Sequence, residues 1–185
     1  MLLQGRVIFG SKSKSNNVTV EGAMAILDSL TNNDVGFISN ILFITDLEKR
    51  QELEARVDSD FHKVTWDILY NGGDPFYDSR YCFGVTADPD NNKGTIHLVQ
   101  GQESGNRIIL KMNCTMEPGV APLEGFTALG MAVILNGRGT TFVDGSYVPS
   151  DGGGEKVLCY VNTNVAFSYT SDNEFDWELI LDVSQ

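Results

Sequence analysis

The sequence predicts a mainly β protein, a β-sandwich or partly open barrel with two short N-terminal helices, α+β by strict count. Two segments carry most of that expectation. Arg107 to Met116 places Ile108, Leu110, Met112, Cys114 and Met116 on one face. Phe175 to Val183 does the same with Phe175, Trp177, Leu179, Leu181 and Val183, leaving Asp176, Glu178 and Asp182 opposite. Successive strand side chains point to opposite faces, so each segment describes a strand with one dry and one wet side. The third observation is spacing: beyond Lys63, short apolar runs are separated by Gly, Pro, Asn and Asp, the punctuation of a many-stranded body.

The remaining elements follow in order. Leu2 to Phe9 reads as a strand ending at Gly10, and the polar run Ser11 to Asn17 as a surface loop. Thr19 can cap a helix from Val20 to Leu30, whose apolar stripe is Val20, Met24, Leu27 and Leu30. Phe37 to Thr45, apolar on both sides at Ile41 to Ile44, reads as a strand buried on both faces. Thr45-Asp46-Leu47-Glu48 has the form of a capping box and opens a helix to about Val57. That helix carries opposite-charge pairs at Asp46/Arg50, Arg50/Glu54 and Glu52/Arg56 and only thin apolar content, so it lies on the surface.

Val64, Trp66, Ile68 and Tyr70 alternate with polar neighbours and predict a strand, followed by a loop at 71–79. Further strands are expected at 80–85, 95–99, 107–116, 126–135, 156–162, 165–169 and 174–183. The whole, 1–185, reads as one domain, with 1–60 a strand-helix-strand-helix cap on a β body at 61–185.

Composition narrows the function. The formal net charge is −12 over 185 residues. From Glu117 onward ten acids face two bases, Arg138 and Lys156. Such a surface repels a phosphate backbone, so nucleic-acid binding is not expected. No signal peptide and no span-length apolar run is visible, so a soluble protein made in the cytoplasm and without a membrane partner is expected. Cys82, Cys114 and Cys159 are odd in number, lack metal-ligand spacing and fall inside expected strands, where free thiols act as small hydrophobes.

Candidate chemistry is sparse. His62 and His97 are the only histidines, and no G-x-S-x-G elbow accompanies them, so neither is assigned a catalytic role. Asp88-Pro89-Asp90-Asn91-Asn92-Lys93-Gly94 offers oxygen ligands at Asp88, Asp90 and Asn92, as Ca2+ requires. Its glycine comes one place too late for an EF-hand and position twelve is Val99, so a hairpin turn is preferred. Ser150 to Lys156 is glycine-rich but leads into a strand, which a phosphate cradle does not. Phe76 and Tyr77, near Tyr81 and Phe83, are the candidates for stacking a glycan. No cofactor and no metal is expected.

Several segments resemble parts of bacteriophage tail-fibre and tail-collar proteins, in the layout of an early helix and a β body closing on a Trp-containing strand. They are Val20 to Leu27, Ile108 to Asn113, Glu124 to Met131, Glu155 to Tyr160 and Glu174 to Leu181. The charged helix at 46–58 and the loop at 71–79 have no counterpart. The resemblance implies a non-enzymatic virion structural protein (tail, collar, baseplate or head decoration) that docks onto other virion proteins and copies of itself as a homo-oligomer. Its exposed loops at 11–17, 71–79 and 136–155 and any unpaired edge strands would make the contacts. The alternative is a lectin-like carbohydrate-binding module using Phe76 and Tyr77.

Overall fold

The first and last strands are neighbours. In the computed structural model, which describes residues 2–30, 37–85, 94–116, 126–136, 141–143, 146–148, 154–167 and 174–183, strand β1 (Leu2–Phe9) pairs antiparallel with β11 (Glu174–Asp182). Between them lie β2 (Lys12–Val18), α1 (Val20–Ser29), β3 (Phe37–Ile44), α2 (Leu47–Arg56), α3 (Trp66–Tyr70), β4 (Cys82–Gly84), β5 (Gly94–Ser104), β6 (Arg107–Met116), β7 (Phe126–Asn136) and β10 (Glu155–Phe167). Short strands β8 (Thr141–Val143) and β9 (Ser146–Val148) form a separate hairpin.

Nine strands close into one barrel in the order β1-β11-β6-β5-β4-β3-β7-β10-β2. The mainly β expectation is met. The sandwich alternative is replaced by a single sheet closed on itself, which removes the free edges a sandwich would leave. Every pairing in the barrel is antiparallel except β4 with β5. Irregular register in β3, β5 and twice in β10 supplies the bends that closure needs.

The two alternating segments are β6 and β11, paired residue for residue from Arg107/Asp182 to Thr115/Glu174. Their apolar faces enter the barrel, where Met112, Cys114, Phe175 and Trp177 are almost fully buried. At the end of the barrel where β3 finishes and β7 begins, Phe43 sits among Phe83, Phe126 and Phe175, with ring centroids 5.3, 5.4 and 6.4 Å away. These rings fill that end of the bore.

A second apolar cluster lies outside the barrel. Leu42, Ile44, Ala132, Ile134, Val157 and Tyr160, from β3, β7 and β10, are covered by Leu53 and Val57 at α2, Trp66 and Leu69 of α3, and Phe76 and Tyr77. This explains why Ile41 to Ile44 read as apolar on both sides: β3 is buried on both.

Several expectations are corrected. The run Ser11 to Asn17 is not a loop; Lys12–Val18 is strand β2, joined to β1 through Gly10 (φ +55°) and Ser11. Its Lys and Ser side chains are exposed, so no apolar alternation betrayed it. The segment from Val64 to Tyr70 is not a strand: Trp66–Tyr70 is helical, with Thr65 accepting from the Ile68 N–H at 3.3 Å and Asn71 closing the turn at φ 49°. Val64, Trp66 and Leu69 are all buried, a mixed spacing that imitated strand alternation.

Residues 1–60 are therefore not a cap. Their three strands are staves of the barrel, and the cover is the helical stretch between β3 and β4. Residues 156–162 and 165–169 are not two strands; β10 runs through to Phe167 with a register shift between Asn162 and Val165. At α2 the cap is Asp46, accepting from the Lys49 N–H at 2.9 Å, one residue later than the box predicted. The Arg50/Glu54 and Glu52/Arg56 pairs form, at 3.4 and 3.3 Å.

The loop at 71–79 is tucked in at Phe76 and Tyr77, while Gly72, Gly73 and Asp74 stay exposed. The Phe76 N–H donates to Leu69 O and the Asp78 N–H to Phe43 O, at 2.9 and 2.8 Å. Asp78 then receives Arg80 and the Thr45 hydroxyl. Partial burial alone would raise its carboxyl pKa, but the hydrogen bonds and charge of Arg80, with Thr45, hold it below the usual 3.8. A depressed folded value contributes stability above the unfolded value that is lost as pH falls through the folded one. The denaturant midpoint of the wild type is thus expected above that of Asp78→Asn at pH 7, with the gap shrinking below about pH 4. A gap constant down to pH 2 would contradict this.

Candidate functional site

The two ends of the barrel differ. One is filled by the phenylalanine cluster. At the other, β1, β3, β6 and β10 begin and β5, β7 and β11 end, and α1 lies against the start of β10.

Local chemistry fixes α1 there. The Thr19 side chain accepts from the Gly22 N–H at 2.9 Å, as an N-cap does, and its hydroxyl also donates to Val157 O. The Thr19 N–H donates to Leu158 O at 3.1 Å. Glu21 Oε2 accepts from the backbone N–H groups of Val157 and Trp66, each at 2.8 Å, which ties helix, β10 and α3 together. Gly22 is the only fully buried residue of α1. A Cβ on it would lie 2.6 Å from Leu158 Cα, so the absence of a side chain lets the helix backbone touch the strand.

This contact turns α1 over relative to the sequence expectation. The predicted core stripe faces outward: Val20 is 62 %, Met24 53 %, Leu27 58 % and Leu30 78 % exposed. The inward side is Gly22, Ala25, Ile26 and Ser29. The helix is apolar nearly all round, so periodicity alone did not select a face; close approach through small residues did.

Beside α1 the bore opens into a cavity of about 380 Å³. Its walls are Leu3, Ile38, Leu98, Ile108, Leu110, Leu135, Leu158, Leu179 and Leu181 from seven strands, with Ala25, Ile26 and Ser29 from α1. Ser29 is the one polar side chain among them, and its hydroxyl donates to Ile26 O at 2.6 Å. Ten large apolar side chains are exposed among the described residues, and nine lie on α1 or beside this opening: Val20, Met24, Ile26, Leu27, Leu30, Phe37, Leu98, Ile108 and Val183. Val183 is held there by its N–H to Asn106 O at 2.9 Å. Leu47 is the tenth. Clustering of this kind marks an interaction surface, where scattered exposed apolar residues would not.

The residues singled out in the sequence are elsewhere. Phe76 and Tyr77 are 2 % and 3 % exposed, packed under α2 and α3. Tyr77 is stacked on Trp66 at 5.8 Å, and burial, followed by Tyr70, drives its hydroxyl pKa up. Rings so enclosed offer no face to a sugar, which corrects the glycan assignment. Asp88, Asp90 and Asn92 lie outside the described residues. His62 and His97 are exposed and sit on different elements; the His62 ring Nδ1 is 2.7 Å from Val18 O. Cys82, Cys114 and Cys159 are free and buried, and burial raises all three thiol pKa values, which disfavours the nucleophilic thiolate. Among the described residues no cluster of His, Cys, Asp or Glu could hold a metal ion, and no helix is long and apolar enough to cross a membrane.

Among the described residues, fold and site define a closed β-barrel with one end filled by aromatic rings and the other lined by apolar side chains. Comparison with protein-family models, with curated proteins and with solved structures gave no match.

Proposed function

We propose that this chain is a non-enzymatic structural and assembly protein of a viral particle, a tail, collar, baseplate or head-decoration component. It docks onto other virion proteins and copies of itself through the open end of its barrel. The observation that carries the docking reading is the gathering of nine exposed large apolar side chains on α1 and around that opening. Covering such a surface releases water at about 25 cal/mol per Å², the usual driving force for protein association. The viral context rests on the resemblance of segments that form α1, β6, β7, β10 and β11 to tail-fibre and tail-collar proteins.

The contact surface differs from the one first expected. Lys12–Val18 is a strand, Phe76 and Tyr77 take part of the loop at 71–79 into the core, and much of 136–155 lies outside the described residues. The face of α1 takes their place. The lectin-like alternative loses both of its stacking rings to the core.

The triple change Val20→Ser, Met24→Ser and Leu27→Ser removes apolar contact from positions that touch little of the core. It is expected to leave thermal unfolding within a few degrees of wild type while dissociating self-association in light scattering. It should also abolish incorporation into particles, read by mass spectrometry of purified virions. Unaltered assembly and incorporation would overturn the reading.

A further inference from the structure

We propose that the cavity at the open end binds one free aliphatic chain, as found in a single-chain fatty alcohol or fatty acid. The site shares its rim with the docking face described above, but its occupancy does not depend on docking. Its volume of about 380 Å³ lies within the range of small-molecule sites, which begins near 300 Å³. Leu110, Leu135, Leu158 and Leu179 form walls contributed by four different strands, with Ala25 of α1 closing one side. Ile41, Met112, Val133 and Trp177, the next inward residues of β3, β6, β7 and β11 beyond those walls, are fully buried, so the cavity is blind.

The occupant follows from what the walls lack. Water is poorly held there, because each molecule needs two or more polar partners. The Ser29 hydroxyl is already committed to Ile26 O. An inserted peptide would bring backbone N–H and C=O groups that the described wall residues, Ser29 apart, cannot satisfy, at a cost of several kcal/mol each in a fully apolar setting. An alkyl chain brings none, and gains by every methylene it buries. Its polar head remains at the mouth, where Leu98 and Ile108 are each 43 % exposed.

The test is displacement of the fluorescent fatty acid cis-parinaric acid by straight-chain alcohols of increasing length and by the matching fatty acids. Affinity for the alcohols is expected to rise about fourfold per added methylene and then level off when the cavity is full. Fatty acids of equal length should follow the same slope. Ala25→Phe, which fills the cavity from α1, is expected to weaken probe binding more than tenfold without lowering the unfolding temperature. Leu98→Asp at the exposed mouth should weaken it as well, and serves if the first variant fails to fold. The triple serine variant of the outer α1 face should retain wild-type probe affinity, so loss of docking and loss of chain binding are read separately. Absence of chain-length dependence, or retention of full affinity by both cavity variants, would overturn the proposal. So would flotation of the protein on phosphatidylcholine vesicles with no binding of free chains.

Discussion

Phe43→Ala is expected to lower the unfolding free energy by about 3–5 kcal/mol, the cost of removing a buried aromatic ring and leaving its space unfilled. Phe43 is fully buried and meets Phe83, Phe126 and Phe175 edge-on or nearly so. Edge-to-face pairs add about 0.5–1.5 kcal/mol beyond burial, and the three contacts are lost together. The neighbours come from β4, β7 and β11, all locked in a closed sheet, so they cannot collapse into the gap. Equilibrium urea unfolding measures the change. A loss below about 1 kcal/mol would mean that the rings do not share one packed site.

Gly22→Ala should be the most damaging single change on α1. The added methyl points at the backbone of Leu158, with Leu158 Cα 2.6 Å away. Leu158 falls in a register shift, but its neighbours Val157 and Cys159 are both paired with β7, so this backbone cannot rotate aside as a flexible side chain would. The helix must move instead, stretching the Thr19 bonds to Val157 and Leu158 and the Glu21 bonds to Val157 and Trp66. Overpacking of this kind costs about 1–3 kcal/mol, and the strained polar contacts add to it. In a helix Ala is otherwise better than Gly by about 1 kcal/mol, so the sign of the outcome discriminates: a stabilised variant would show that α1 does not touch β10. Ala23→Gly on the exposed side is the control, expected to cost only about 1 kcal/mol. Since Ala25 and Ile26 form a wall of the cavity, displacement of α1 should also weaken cis-parinaric acid binding in Gly22→Ala and leave it unchanged in Ala23→Gly.

Legibility in the sequence followed the strength of local patterns. The two alternating segments became β6 and β11 with nearly the predicted limits, because each has one face in the barrel and the other toward solvent. Helix α1 was predicted with its capping threonine, since capping is satisfied within one turn. The polar strand β2 was not legible. Its place is set by pairing with β1 on one side and, through Asn17 and Val18, with β10 on the other, and neither pairing leaves an apolar trace in Lys-Ser repeats. The glycan candidates failed for a related reason. Phe76 and Tyr77 directly follow the exposed residues Gly72, Gly73 and Asp74, but α2 and α3 fold over the two rings.

The site was the least legible part. Nothing in Val20 to Leu30 says which flank faces the barrel, because apolar residues occupy both. A clue existed at Gly22, a poor helix former in a strongly patterned helix, where an interior glycine signals close backbone approach. The cavity draws its walls from residues 3 to 181, separations at which no periodicity operates.

By itself the sequence determined that the chain is rich in strands, where the strongest of them begin and end, and that an early helix is capped by Thr19. Those are properties of single segments, decided by side-chain alternation and by hydrogen bonds within a turn. Only the tertiary structure decided that the sheet closes into a barrel, that α1 exposes the stripe expected to be buried, and that an apolar cavity opens beside it. These depend on which strands meet and on how closely two backbones approach, and long-range contacts of that kind leave no local signal in the chain.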